Sequence, residues 1–104
     1  KLVLEKSPDQ TFHGRAYYGL ARIAVHDNQR EQAISLFQKV VNANPDPQIT
    51  AWSHVFLGRL ALAAGDPQTA TAQLKQVLGI DGASPKAREA AQTDLQKLSG
   101  DQQQ

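Results

Sequence analysis

Three histidines, His13, His26 and His54, are the first residues to test for chemistry in this 104-residue chain. A metal centre needs three or four converging ligands. The histidines stand far apart, none sits in a zinc-protease helix motif, and no carboxylate–histidine cluster has ligand spacing. There is no cysteine, which excludes a thiolate metal site, a disulfide framework and a cysteine nucleophile. Ser7, Ser35, Ser53, Ser84 and Ser99 lack the flanking glycines of a nucleophile elbow. Gly14 and Gly19 fall inside a helical pattern, and Gly79 and Gly82 fall in a turn, so no glycine-rich phosphate loop exists. The residue types point away from catalysis, metal and cofactor. Each histidine is expected to be structural or solvent-facing.

Recognition chemistry is better supplied. Arg22 and Arg59 stand 37 residues apart, with Tyr18 and Trp52 nearby on the same helical patterns. Two guanidinium groups beside aromatic rings suit a carboxylate and an apolar side chain. The competing expectation is two solvated arginines, each with a local acid.

The elements that would position these residues follow from composition and period. The chain carries 11 Lys plus Arg against 10 Asp plus Glu, a formal charge of +1. That balance gives no strong pull toward nucleic acid or an anionic lipid surface. Basic residues are dispersed, and there is no aromatic-rich strand on which bases would stack. A hydrophobic content of 40% is too high for a disordered charged tail. Its apolar runs, such as 60–65, are far short of the ~20 residues of a membrane span. No signal peptide is visible. The chain begins at Lys1 and has no methionine, so it is expected to be a processed product or a piece of something longer. Ala, Leu and Gln outweigh Val, Ile, Thr and aromatics, which favours an all-α domain.

The chain repeats itself. Pro8-Asp9 recurs 37 residues later as Pro45-Asp46. The same shift relates Val3, Val40 and Val77, and also Leu4, Val41 and Leu78. It takes Leu20 to Leu57, Arg22 to Arg59, Ala24 to Ala61, Ala33 to Ala70 and Phe37 to Leu74. A run of matches at one spacing is the mark of a stacked repeat. Each period reads as two helices. Asp9 is expected to cap the first, Tyr17, Leu20, Ala21 and Ala24 to form its apolar stripe, and His26-Asp27-Asn28-Gln29 to break it. Ala33, Leu36, Phe37, Val40 and Val41 form the next stripe, which Asn44-Pro45 ends. Asp46-Pro47 opens the second period, with His54, Leu57, Gly58 and Ala61 inward and Gly65 as the stop. Asp66-Pro67 restarts the chain into Ala70, Leu74, Val77 and Leu78. Ser84-Pro85 opens a last helix with Ala87, Ala90, Ala91, Leu95 and Leu98 on one face and polar residues elsewhere, as suits the end of a stack.

These residues resemble the tetratricopeptide repeat family, whose pattern is a large aromatic, Leu-Gly, Tyr, then Ala, Phe and Pro at fixed spacing. The first hairpin supplies Tyr17, Leu20-Ala21, Ala24, Ala33, Phe37 and Pro45, and the second His54, Leu57-Gly58, Ala61, Ala70, Leu74 and Gly82. The resemblance implies an all-α superhelix of helix-turn-helix hairpins with a C-terminal capping helix. Residues 1–99 would form one domain. Residues 1–8 are the end of a preceding repeat, 9–45 repeat one, 46–82 repeat two, 84–98 the capping helix and 100–104 a flexible tail. The period of 37 exceeds the family's usual length of about 34, with the extra residues expected to lengthen each first helix by a turn. Ala21, Ala24, Ala61 and Gly82 depart from the family's glycine, tyrosine and proline.

The resemblance also implies a partner surface, the concave groove along the first helices. Its positions here are Arg15, Tyr18, Arg22 and Val25, then Trp52, Val55, Arg59 and Leu62. The last helix is the expected rival for the face that holds Trp52. The groove does not match the family's carboxylate clamp for chaperone tails. Tyr18 stands at the first lysine position of that clamp, Arg22 at the first asparagine and Phe56 at the second. The expected function is a non-catalytic protein–protein interaction module for a peptide or partner protein, with no cofactor, no metal, no nucleic acid and no membrane insertion. The alternative is a structural or self-association segment of a larger scaffold, including a homo-oligomer formed through the N-terminal stub.

Overall fold

Aspartate, serine and proline set where the last three helices begin. The computed structural model describes residues 10–43 and 46–103, with side chains for 14–43 and 46–99. Among the described residues there are five helices: α1 Gln10–His26, α2 Arg30–Ala43, α3 Pro47–Ala63, α4 Pro67–Leu78 and α5 Pro85–Gln103. The Asp46 carboxylate accepts the Ile49 N–H at 2.9 Å, and Pro47 takes the first helical position, where its missing N–H costs nothing. Asp66 repeats the device on α4, accepting the Thr69 N–H at 3.1 Å and the Thr69 hydroxyl at 2.6 Å. Ser84 Oγ accepts the Ala87 N–H at 3.1 Å at the head of α5. Asp9 and residues 1–8 lie outside the described residues.

The turns use left-handed backbone. Asn28 (φ 62°) lies between α1 and α2, and Gly65 (φ 84°) lies between α3 and α4. Gly82 (φ 87°) stands where the repeat pattern has proline. Proline is locked near φ −65° and cannot adopt that angle. The departure at Gly82 therefore belongs to a different turn geometry ahead of α5.

The helices pair as two hairpins, α1 with α2 and α3 with α4. α2 also packs on α3, and α5 packs on both α4 and α3. One core joins Ala21, Ala24, Ala33 and Phe37 of the first hairpin to Leu57 of α3. A second joins Ala51, Val55, Ala61, Ala70, Leu74 and Val77 to Ala87, Ala91 and Leu98 of α5. Small residues let the helices approach. A Cβ placed on Gly58 would lie 2.8 Å from Leu74 Cγ and 3.2 Å from the Ala70 carbonyl oxygen. His54, in the aromatic position of the repeat, is buried, and its Nδ1 lies 2.7 Å from Gln73 Oε1 across the hairpin.

Two stripe residues are not in the core. Leu20 is 52% exposed and Leu78 is 38% exposed. Each would need a neighbouring element that the described residues do not provide. The last helix also runs past Leu98 to Gln103, through residues expected to form a loose tail.

Three outcomes are expected. Phe37→Ala should lower stability by ~3–5 kcal/mol and Leu57→Ala by ~2–5 kcal/mol, read by chemical denaturation. Unchanged midpoints for both would contradict the core described here. Gly58→Ala should cost ~1–3 kcal/mol, since Leu74 or the helix pair must move. The bonds from Thr69 hold the Asp66 carboxyl below its ordinary value. Its contribution is therefore complete above the usual aspartate range and is lost as pH falls through the lowered value. Asp66→Ala should lower the melting temperature at pH 7, with the difference from wild type closing in strong acid.

Candidate partner-binding surface

Eight first-helix positions were expected to line one groove, and packing divides them. Arg15 is exposed, and its guanidinium reaches across to the next hairpin to donate to Asp46 at 3.0 Å. The same carboxylate caps α3, so one acid both starts α3 and ties α1 to it. The pair adds little energy, being exposed on the arginine side.

Tyr18 is half-buried. Its ring meets Phe37 edge-on at 6.0 Å and Phe56 edge-on at 6.4 Å, while Phe37 and Phe56 stack at 4.9 Å. Offset and edge contacts of this kind add ~0.5–1.5 kcal/mol each beyond area burial. The three rings come from α1, α2 and α3 and lock the first hairpin to the second. Burial pushes the Tyr18 phenol above its usual value, against the smaller opposing pull of the Arg22 guanidinium. Phe56 was not expected in the core. The available signal was its place between Val55 and Leu57 on a helix apolar nearly all round.

Arg22 is exposed, and its guanidinium carbon lies 5.8 Å from the centre of the Tyr18 ring. Among the described residues it has no carboxylate partner. Arg59, its counterpart one period later, is different. Its Nε donates to Asp94 of α5 at 2.7 Å. The equivalence of the two arginines is thus broken by the last helix, which supplies an acid on one side only.

Val55 is a correction. It is 0% exposed, inside the core shared with α5, and it cannot line an open groove. The physical reason is that Ala87 and Ala91 bring α5 close enough to cover it. Trp52 is half-buried and packs against the same core. Val25 is half-buried and borders a hollow of about 280 Å³ with Asn28, Arg30, Leu60 and Ala63. Leu62 is exposed and borders a hollow of about 310 Å³ with Arg59, Ala63, Asp94 and Lys97.

Among the described residues no three His, Cys, Asp or Glu side chains gather in a way that would hold a metal ion. No described helix is long and apolar enough to cross a membrane. The open chemistry of this surface is a guanidinium, a phenol face and apolar side chains. It can hold a carboxylate beside an apolar group.

Comparison with known proteins agrees with this architecture. The model of the tetratricopeptide repeat family matches residues 14–47. No curated protein and no solved structure matches the chain significantly. The matched stretch starts at Gly14, one turn into α1, and ends at Pro47, the first residue of α3. The first turn of α1 thus precedes the matched repeat.

Val55→Ala should cost ~2 kcal/mol or more, from two lost buried carbons plus the cavity they leave. Arg59→Ala should cost less than ~1 kcal/mol, because its pair with Asp94 is half open to water. Denaturation midpoints check both. A neutral Val55→Ala would return that residue to the open surface.

Proposed function

We propose, from the match of residues 14–47 to the tetratricopeptide repeat family, that the chain is a non-catalytic interaction module binding an acidic, partly apolar peptide segment along its first helices. Repeats of this family generally mediate protein–protein interaction, and the family is generally non-catalytic. The observation that supports the finer reading is Arg22. It stands exposed on the Tyr18 ring with no carboxylate partner among the described residues, whereas Arg15 and Arg59 already hold Asp46 and Asp94. A charge-assisted bond from an incoming carboxylate to Arg22 breaks no existing pair. A ligand at Arg15 or Arg59 would first have to displace an acid of the protein itself. The Tyr18 ring supplies the apolar contact beside it, with Val25 one turn further along α1.

The test is affinity capture from source lysate with wild type, Arg22→Glu, and Arg22→Glu combined with Arg59→Glu, all checked for unchanged helicity. The expected result is a partner held by wild type, lost with Arg22→Glu alone, and weakened by raised salt. Equal recovery by all three proteins would overturn the reading.

A further inference from the structure

Helices α1, α3 and α5 are in contact in series, α1 with α3 and α3 with α5. Each carries a cation at the same place. Arg22, Arg59 and Lys97 stand twelve residues after Gln10, Pro47 and Pro85, the first residues of their helices. The three positions are rungs of one ladder. A uniform shift of 37 residues misses the third, because the turn ahead of α5 is one residue longer. The rungs differ in what holds them. Arg59 is held by Asp94 at 2.7 Å, whereas Arg22 lies over the Tyr18 ring. Lys97 is exposed, and among the described residues neither it nor Arg22 has a carboxylate partner.

The middle of the ladder is apolar. Leu62, one turn past Arg59, is exposed, and with Ala63 it borders the hollow that Arg59, Asp94 and Lys97 share. A ligand carboxylate brought to Arg59 would have the Asp94 carboxylate beside it, and like charges repel. An apolar side chain meets Leu62 and Ala63 and leaves the ion pair intact. From α1 to α5 the surface therefore offers a free cation, an apolar place and a second free cation.

We infer that the ligand is a peptide in polyproline II conformation crossing all three helices, with one acid on Arg22, an apolar side chain on Leu62 and a second acid on Lys97. This rests on the peptide-binding reading above and adds the backbone, the register and a role for Lys97. Spacing selects the backbone. Packed helices lie ~8–10 Å apart, which puts the outer rungs roughly 16–20 Å from each other. A polyproline II chain has three residues per turn and rises ~3.1 Å per residue, so every third side chain points the same way at intervals of ~9.3 Å. It delivers one side chain to each helix, in the order acid, two residues, apolar, two residues, acid. A β-strand turns residues three apart to opposite faces. One turn of an α-helix, ~10–12 Å across, is bulkier than the hollow of about 310 Å³ beside Leu62.

The test is fluorescence anisotropy of labelled, end-blocked peptides with the full chain at low salt. The probe is Glu-Pro-Pro-Leu-Pro-Pro-Glu. Its rivals are Glu-Pro-Leu-Pro-Glu, the probe with glutamine for either glutamate, the probe with glutamate for leucine, and a helical peptide with the same three groups at heptad spacing. The probe is expected to bind at least ~10-fold tighter than each rival, as one more charge-assisted bond in register would give. Lys97→Glu is expected to remove that advantage and Lys97→Arg to keep it, both with unchanged helicity and melting. Equal affinity for all peptides, tighter binding of any rival, indifference to Lys97→Glu, or no binding of the probe would overturn the inference. The lysate capture separates this from the reading beneath it. Capture lost with Arg22→Glu while the probe fails would overturn the register alone, and capture indifferent to Arg22→Glu would overturn both.

Discussion

α3 belongs to two cores at once, and the rest of the structure depends on that sharing. A hairpin of two short helices cannot bury its apolar surface alone, so stability in a stack comes from nearest-neighbour interfaces. Leu57, with Phe56 and Leu60, closes the first hairpin, while Ala51, Val55 and Ala61 of the same helix join α4 and α5. That double duty is why α3 is apolar nearly all round, whereas α5 is apolar on one side only. The small residues serve the same end. Gly58 brings α4 close on one side, and Ala51 helps form the core that receives α5 on another. A helix with large side chains on every face could not lie against so many neighbours at native packing density.

The architecture was legible because its signals are local or periodic. Asp46-Pro47, Asp66-Pro67 and Ser84-Pro85 act within one turn of themselves, and each became a helix start. The shift of 37 residues carried the hairpin plan, since a residue and its repeat counterpart tend to meet similar surroundings. Position within a stack is what the period does not carry. Leu20 and Leu57 are the same residue type at equivalent sites, yet one is half open and the other is buried, because among the described residues only the second has a hairpin before it. Val55 and Tyr18 diverge for the complementary reason. α5 closes over Val55, while Tyr18 meets the rings of Phe37 and Phe56 and keeps one face for Arg22. End effects of this sort are set by neighbours and not by the residue itself.

The groove shows the same logic in its charges. Three arginines occupy first-helix positions, and the sequence alone treats them alike. Two reach acids on helices that follow them, Asp46 at the start of α3 and Asp94 on α5. These pairs join elements more than thirty residues apart in sequence, so spacing along one helix does not reveal them. Arg22 is left on the ring of Tyr18. An exposed ion pair contributes ~0–1 kcal/mol to stability. Its larger effect here is to remove a cation from the set available to a ligand. With Arg15 and Arg59 held by acids of the protein itself, Arg22 is the arginine of the three without a carboxylate among the described residues.

The two ends of the stack differ in a way that gives it direction. At the C-terminal end α5 turns exposed lysines, glutamines and a glutamate outward, and its alanines and leucines inward. Among the described residues, Leu78 at the end of α4 is the large apolar side chain still partly open near that end. At the other end α1 presents Leu20 and Ile23 beside the empty place at Gly19. Arg22 stands between the two surfaces, beside Tyr18 on one flank and Ile23 on the other.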